Sequence, residues 1–120
     1  MDFNLESRLI DYVSSISEII NKLEENMSST ILSNQLFRSA SSSALNYAEA
    51  MGGESRKDFI HKMKIVLKEL RETYMSLSII IHAEILKKKT NIEDTKKENN
   101  ELISIFVKSI ETARRNMQNK

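Results

Sequence analysis

The sequence has no cysteine, no proline and no tryptophan, and its only two glycines, Gly52 and Gly53, are adjacent. Without cysteine there is no disulfide framework, no thiolate zinc site and no cysteine nucleophile, which fits a reducing compartment. Without proline, and with glycine confined to one point, almost nothing else interrupts helix propagation, so long helices are favoured. Long apolar runs are missing too. The most apolar stretch, 77–86, falls far short of the ~20 residues of a membrane span and contains His82 and Glu84. The first residues, Met1-Asp2-Phe3-Asn4-Leu5-Glu6, lack the basic and apolar regions of a signal peptide. A cytoplasmic protein with no membrane contact is expected.

What the chain does have is an ordinary globular balance: 120 residues, 40% hydrophobic and 29% charged, with a net charge of +1. That length fits one domain, 1–120, and the hydrophobic content suffices for one core. The charges are unevenly placed. Residues 1–27 carry Arg8 and Lys22 against Asp2, Glu6, Asp11, Glu18, Glu24 and Glu25, whereas 56–89 carry nine Lys or Arg against four acids. Two readings follow: acidic and basic faces that complement each other within or between subunits, or a local anion-binding surface.

Apolar spacing predicts four helices, roughly 4–24, 30–51, 56–88 and 92–117. The first places Leu5, Leu9, Tyr12, Ile16, Ile19 and Leu23 at steps of three and four, and Ser28, Ser29 and Thr30 offer caps for the second. The second has a seam of Phe37, Ala40, Ala44, Tyr47 and Met51, and six small residues from Ser39 to Ala44 that permit close approach of a neighbour. Gly52-Gly53 should end it through the left-handed conformation, and Ser55 with Asp58 resembles a capping box for the third. The third has its seam at Phe59, Met63, Val66, Leu70, Thr73, Leu77 and Ile80, with Lys87, Lys88 and Lys89 at its negative end. Thr90 or Asn91 should cap the fourth, whose seam is Leu102, Phe106, Ile110, Ala113 and Met117. Short connections make neighbours antiparallel, so the expected fold is all-α, an antiparallel up-down-up-down four-helix bundle.

On the third helix the side opposite the seam carries Lys57, His61, Lys64, Lys68 and Arg71, and then turns apolar at Met75, Ile79, His82 and Ile85. The start of the fourth helix, 93–101, reads as polar on every face and cannot cover that apolar stretch. Burial is worth roughly 25 cal/mol per Å², so a homo-oligomer interface at Met75, Ile79, His82 and Ile85 is expected; the alternative is that the first two helices wrap around it. The basic half of the stripe is the candidate nucleic-acid-binding surface, although interleaved aromatics for base stacking are missing. No catalytic, metal or cofactor site is predicted. His61 and His82 stand ~31 Å apart along one helix and cannot share an ion. Glu69 and Glu72 read as solvated or salt-bridged, and no phosphate loop or nucleophile elbow is visible. A cofactor-free, non-enzymatic interaction protein is expected.

Three stretches taken together carry a family resemblance: Leu36-Phe37-Arg38-Ser39-Ala40-Ser41-Ser42-Ser43-Ala44-Leu45-Asn46-Tyr47-Ala48-Glu49-Ala50, then Ser55-Arg56-Lys57-Asp58-Phe59-Ile60, then Lys68-Glu69-Leu70-Arg71-Glu72-Thr73. Over about 30–80 the chain resembles the four-helix-bundle family of 23S ribosomal RNA intervening-sequence proteins. The resemblance implies a bacterial protein, a four-helix bundle and a ring-shaped homopentamer, as in family members and the similar accessory protein of diversity-generating retroelements. It does not imply an enzyme, and the retroelement relatives bind nucleic acid and a protein partner through a basic ring. The signature polar positions carried over are Arg38, Asn46, Glu49, Ser55, Asp58, Glu69 and Glu72. Arg38, lying away from the helix seam, is expected to pair with a carboxylate such as Glu69 or Glu49.

Overall fold

In the computed structural model, which describes residues 4–53 and 55–118, four helices run Leu5–Ile20 (α1), Met27–Met51 (α2), Arg56–Ala83 (α3) and Ile92–Gln118 (α4). Each helix packs against its sequence neighbours and α1 also touches α4, so the four close into a square, with α1 diagonal to α3 and α2 diagonal to α4. This is the up-down-up-down arrangement expected, 53 × 22 × 21 Å in extent. The core is formed by the seams of α1 and α3 read from the sequence, including Leu9, Ile16, Val66, Leu70 and Leu77, with Leu102 and Phe106 from α4.

The serine-rich middle of α2 is helical for the reason its composition suggests. Ser41 Oγ donates to Phe37 O at 2.6 Å and Ser43 Oγ to Ala40 O at 2.6 Å, so these hydroxyls are satisfied within their own helix. Such small, self-satisfied side chains let α3 approach closely, and α2 against α3 is the most extensive helix pairing. The seam of α2 is rotated from the expected one. Leu36, Ala40, Ser43 and Ala50 are buried and Tyr47 half-buried, whereas Phe37 and Met51 are 46% and 60% exposed. Buried serines displace the face: a hydrophobic count misses Ser39 and Ser43, which point inward because they are small rather than apolar.

Four helix ends also differ from expectation, the first being α1, which stops at Ile20, four residues before the expected end. Asn26, not Ser28, Ser29 or Thr30, caps α2, its side chain accepting from Ser29 N at 2.9 Å. The glycines end α2 without a left-handed residue, Gly52 having φ −98°; at Gly53 space is tight instead, since a Cβ there would lie 3.1 Å from Ala50 O. The left-handed conformation falls on Glu84, at φ 55°, which stops α3 at Ala83, five residues before the expected end. From there the chain extends and pairs with the α1–α2 connection. Glu24 N donates to Ile85 O at 2.9 Å and Lys87 N to Lys22 O at 2.8 Å, an antiparallel bridge at Leu23 and Leu86. Those bonds replace the helical ones that 85–88 would have made, so the three lysines at 87–89 do not cap a helix. Ser55 does cap α3, accepting from Asp58 N at 3.0 Å, and Thr90 Oγ1 accepts from Ile92 N at 2.9 Å at the start of α4.

Candidate interaction site on the second and third helices

Signature positions distant in sequence meet in the groove between α2 and α3. Arg38 donates through one terminal nitrogen to both carboxylate oxygens of Glu69, at 3.3 Å each, and through the other to Glu72 Oε1 at 2.6 Å. Ser42 Oγ donates to Glu69 Oε2 at 3.1 Å, and Asn46 Nδ2 donates to Ser42 O at 2.9 Å and Ser42 Oγ at 3.0 Å. One helical step further on, Lys62 Nζ reaches Glu49 Oε1 at 2.5 Å. Arg38, Asn46, Glu49, Glu69 and Glu72 thus form one polar line along the groove, while Ser55 and Asp58 sit apart at the start of α3.

The electrostatics of this line are asymmetric. The Glu69 side chain is only 9% exposed and the Arg38 side chain 54%, so the guanidinium spans from solvent to a nearly buried carboxylate. Glu69 first, and then the Glu72 hydrogen bond, hold Arg38 above its ordinary value, firmly protonated. A planar fork that binds two carboxylates on the facing helix fixes the lengthwise register of α2 against α3.

Apolar side chains flank this line. Ile31 is seven residues before Arg38 and Ile79 seven after Glu72, two helical turns along each antiparallel partner, so they face each other across the same groove. They are 49% and 44% exposed, and Met75 nearby is 61% exposed. Lys57, His61, Lys64, Lys68 and Arg71 all lie exposed on the outward stripe of α3, followed by exposed Met75, Ile79 and His82. Ile85 leaves the stripe: because α3 ends at Ala83, it turns in and packs against the core. The start of α4, polar in residue type over 93–101 as read, is not solvent-facing all round: Thr95 and Asn99 are buried behind Ile92, and Lys96 lies 5.0 Å from the ring centre of Tyr74 on α3.

A second polar group went unread in the sequence. Tyr12 of α1, Ser39 of α2, Thr73 of α3 and Asn99 of α4 are all buried and form one hydrogen-bonded layer through the bundle centre. Ser39 and Thr73 share a hydroxyl–hydroxyl bond of 2.7 Å, Thr73 Oγ1 donates to Glu69 O at 2.9 Å, and Asn99 Nδ2 donates to the Tyr12 hydroxyl and, at 3.3 Å, to Leu70 O. Burial pushes the Tyr12 hydroxyl well above its ordinary value, against the opposing effect of its bonds to Thr73 and Asn99. Nearby, Arg8 forks onto Glu98 at 3.0 and 2.7 Å, tying α1 to α4. The available signal was Asn99 itself, which falls three residues before Leu102 and seven after Ile92 and so belongs to the inward stripe.

Among the described residues no cluster of three or more His, Asp or Glu could hold a metal, and no helix is long and apolar enough to cross a membrane. The two histidines stand exposed and separate.

No curated protein matches the chain. A solved structure of a protein of unknown function from the S23 ribosomal protein family of Bacteroides thetaiotaomicron is similar over 88% of this chain and 96% of its own, with 27% identity and a TM-score of 0.78. The family described as 23S rRNA-intervening sequence protein matches residues 2–108, which spans all of α1–α3 and most of α4. With the helix order, the polar groove and that match in agreement, the chain belongs to the 23S rRNA-intervening sequence protein family.

Proposed function

We propose that this protein is a non-catalytic scaffold that works as a homo-oligomeric ring, with five copies as the family resemblance implies. The observation that carries the reading is the diagonal placement of α1 and α3. The exposed charges of α1 are Glu6, Asp11 and Glu18, beside Ile10 at 55% exposure. The exposed stripe of α3 carries Lys57, His61, Lys64, Lys68 and Arg71, then Met75, Ile79 and His82. The two helices stand diagonally and meet in the bundle centre, where Tyr12 bonds to Thr73, so their outward acidic and basic faces look in opposite directions and do not pair within one chain. Pairing like faces sets like charges against each other. Pairing unlike faces is head-to-tail, and such contacts close into rings when the rotation allows. Met75 and Ile79, with Ile31 alongside, supply the apolar area that such an interface needs.

Analytical ultracentrifugation at physiological salt is the test. The reading expects a particle several times the 13.8 kDa chain mass, reduced to a single chain by Met75→Glu with Ile79→Glu. A wild-type particle of single-chain mass refutes it.

A second reading, nucleic-acid binding, is supported by the same α3 stripe. Among the described residues Lys57, Lys64, Lys68 and Arg71 have no ion-pair partner, so four cations on one exposed line are available to a phosphate backbone. Lys64→Glu with Lys68→Glu should then abolish RNA or DNA binding, and the affinity should fall steeply with salt. Absence of binding at low salt eliminates this reading and leaves the scaffold.

A further inference from the structure

Of the helix pairs that touch, α1 and α4 touch least, and a hollow of about 170 Å³ remains between them. Its walls lie between Arg8 and Ser15 on α1 and between Asn91 and Glu98 at the start of α4. It opens from Arg8 toward the α3–α4 connection, on the side of Arg8 away from Asn4, and every residue lining it is described. The space is small against the ~300–1,000 Å³ of drug-sized pockets, so it excludes a nucleotide and admits a short chain.

The lining is acidic. Asp11 and Asp94 face it from opposite walls, and neither has an ion-pair partner among the described residues. Glu98 lines it too, and the one cation there, Arg8, is forked onto Glu98 and lies 3.7 Å from Glu101. Three carboxylates thus share one guanidinium. The flanks add to the same sign, with Glu18 one turn beyond Ser15 and Glu101 one turn beyond Glu98. Lys88, Lys89, Lys96 and Lys97 are the other cations nearest in sequence, and none of them lines the hollow. The positive start of α4 is answered by Thr90, whose Oγ1 accepts from Ile92 N, and by Glu93 as well as Asp94.

A second observation points to a ligand. Thr95 lines the hollow and is only 4% exposed, yet its side chain has no hydrogen bond among the described residues. A buried hydroxyl left without a partner costs free energy, so the position is built for one. One turn further along α4, the buried Asn99 also leaves its Oδ1 unpartnered. Among the described residues no three acids converge tightly enough to hold a metal ion. Carboxylates on facing walls with a hydroxyl at the base instead suit a group with several N–H donors on a flexible stem, which is what an ammonium on an aliphatic chain offers.

We propose that this hollow binds a primary alkylammonium group, with Asp11 and Asp94 supplying the charge and Thr95 Oγ1 accepting a hydrogen bond. Two sources carry that chemistry: a free short diamine, or a lysine side chain from the basic α3 stripe of a second copy. The second source rests on the scaffold reading; the first does not.

The probe is putrescine, titrated calorimetrically into the full chain, with butanediol as its neutral counterpart. Putrescine should bind and butanediol should not. Asp11→Asn with Asp94→Asn, and separately Thr95→Val, should each weaken putrescine at least about tenfold, a loss of ~1.4 kcal/mol, while the circular dichroism stays that of wild type. Glu6→Gln with Glu111→Gln removes the same charge at exposed positions outside the hollow and should change the affinity less than about twofold. Binding that is silent in wild type and appears with Lys64→Glu and Lys68→Glu assigns the site to a lysine of a second copy. Putrescine bound by a wild-type particle of single-chain mass keeps this site while the scaffold reading falls. The proposal is overturned by no binding to either wild type or the lysine variant, by butanediol binding as tightly as putrescine, or by the control acids mattering as much as Asp11 and Asp94.

Discussion

Arg38→Ala is the substitution whose consequence the geometry fixes most closely. The guanidinium makes three contacts, two to Glu69 and one to Glu72, and its loss leaves Glu69 with only the Ser42 hydroxyl at 3.1 Å. Removing the partner of a fully buried charge costs about 3–5 kcal/mol, and breaking an exposed pair costs about 0–1. With Glu69 at 9% and Arg38 at 54% exposure, the pair falls between these limits, at about 2 kcal/mol. The entropy of unfolding for this chain length is on the order of 250 cal/mol/K, so the melting temperature should drop by roughly 8 °C. The measurement is thermal unfolding by circular dichroism at fixed protomer concentration, because assembly couples stability to concentration. Glu69→Leu in the same background gives the sharper test. If the cost comes from a stranded carboxylate, Arg38→Ala with Glu69→Leu should melt above Arg38→Ala alone. A single substitution within about 0.5 kcal/mol of wild type, or a double one no better than the single, refutes the assignment.

The other predictions concern the polar layer and the end of α3. Tyr12→Phe removes a buried acceptor of the Asn99 amide and should cost about 1–3 kcal/mol in urea unfolding. The same variant tests a pH dependence. The Tyr12 hydroxyl is raised in the folded state, so the unfolded chain loses its proton first, from about pH 10, and the contribution of Tyr12 to stability is full below that pH and declines above it. Wild-type stability should therefore fall above about pH 10 by up to ~1.4 kcal/mol per pH unit more steeply than that of Tyr12→Phe; equal slopes exclude the linkage. Glu84→Gly relieves a left-handed residue and should raise the melting temperature, by about 0.5–1 kcal/mol in stability; a lower melting temperature shows that Glu84 is held there by something other than the backbone turn.

The long helices were legible because their apolar residues recur at helical spacing. Leu5, Leu9, Tyr12, Ile16 and Ile19 fixed the inner face of α1, and Met63, Val66, Leu70 and Leu77 that of α3, as buried there as the pattern required. The face of α2 was misjudged because its inward positions Ser39 and Ser43 are serines, which a hydrophobic pattern scores as surface. The end of α3 was hidden for a related reason. The segment 84–88 has good helix formers, and only a contact across sixty residues of sequence, Glu24 to Ile85, draws it out of the helix. Arg38 was legible as a pairing residue but its double engagement of Glu69 and Glu72 depends on the relative register of two helices, which no single segment encodes.

The polar layer also sets the position of α1 in the bundle. A helix of 16 residues with a narrow apolar stripe buries less area against its neighbours than its longer companions do, and its contact with α4 is the thinnest in the bundle. Apolar packing alone would let so short a helix slide by one turn with little penalty, since Leu5, Leu9, Ile16 and Ile19 are interchangeable at steps of three and four. Tyr12 removes that freedom: its hydroxyl meets Asn99 at one position only, and Arg8 meets Glu98 only in the same register. A slide of one turn would bury the Asn99 amide without the Tyr12 hydroxyl and separate the ion pair, each costing more than the apolar contacts gain. The start of α1 is thereby held at a defined level along α4.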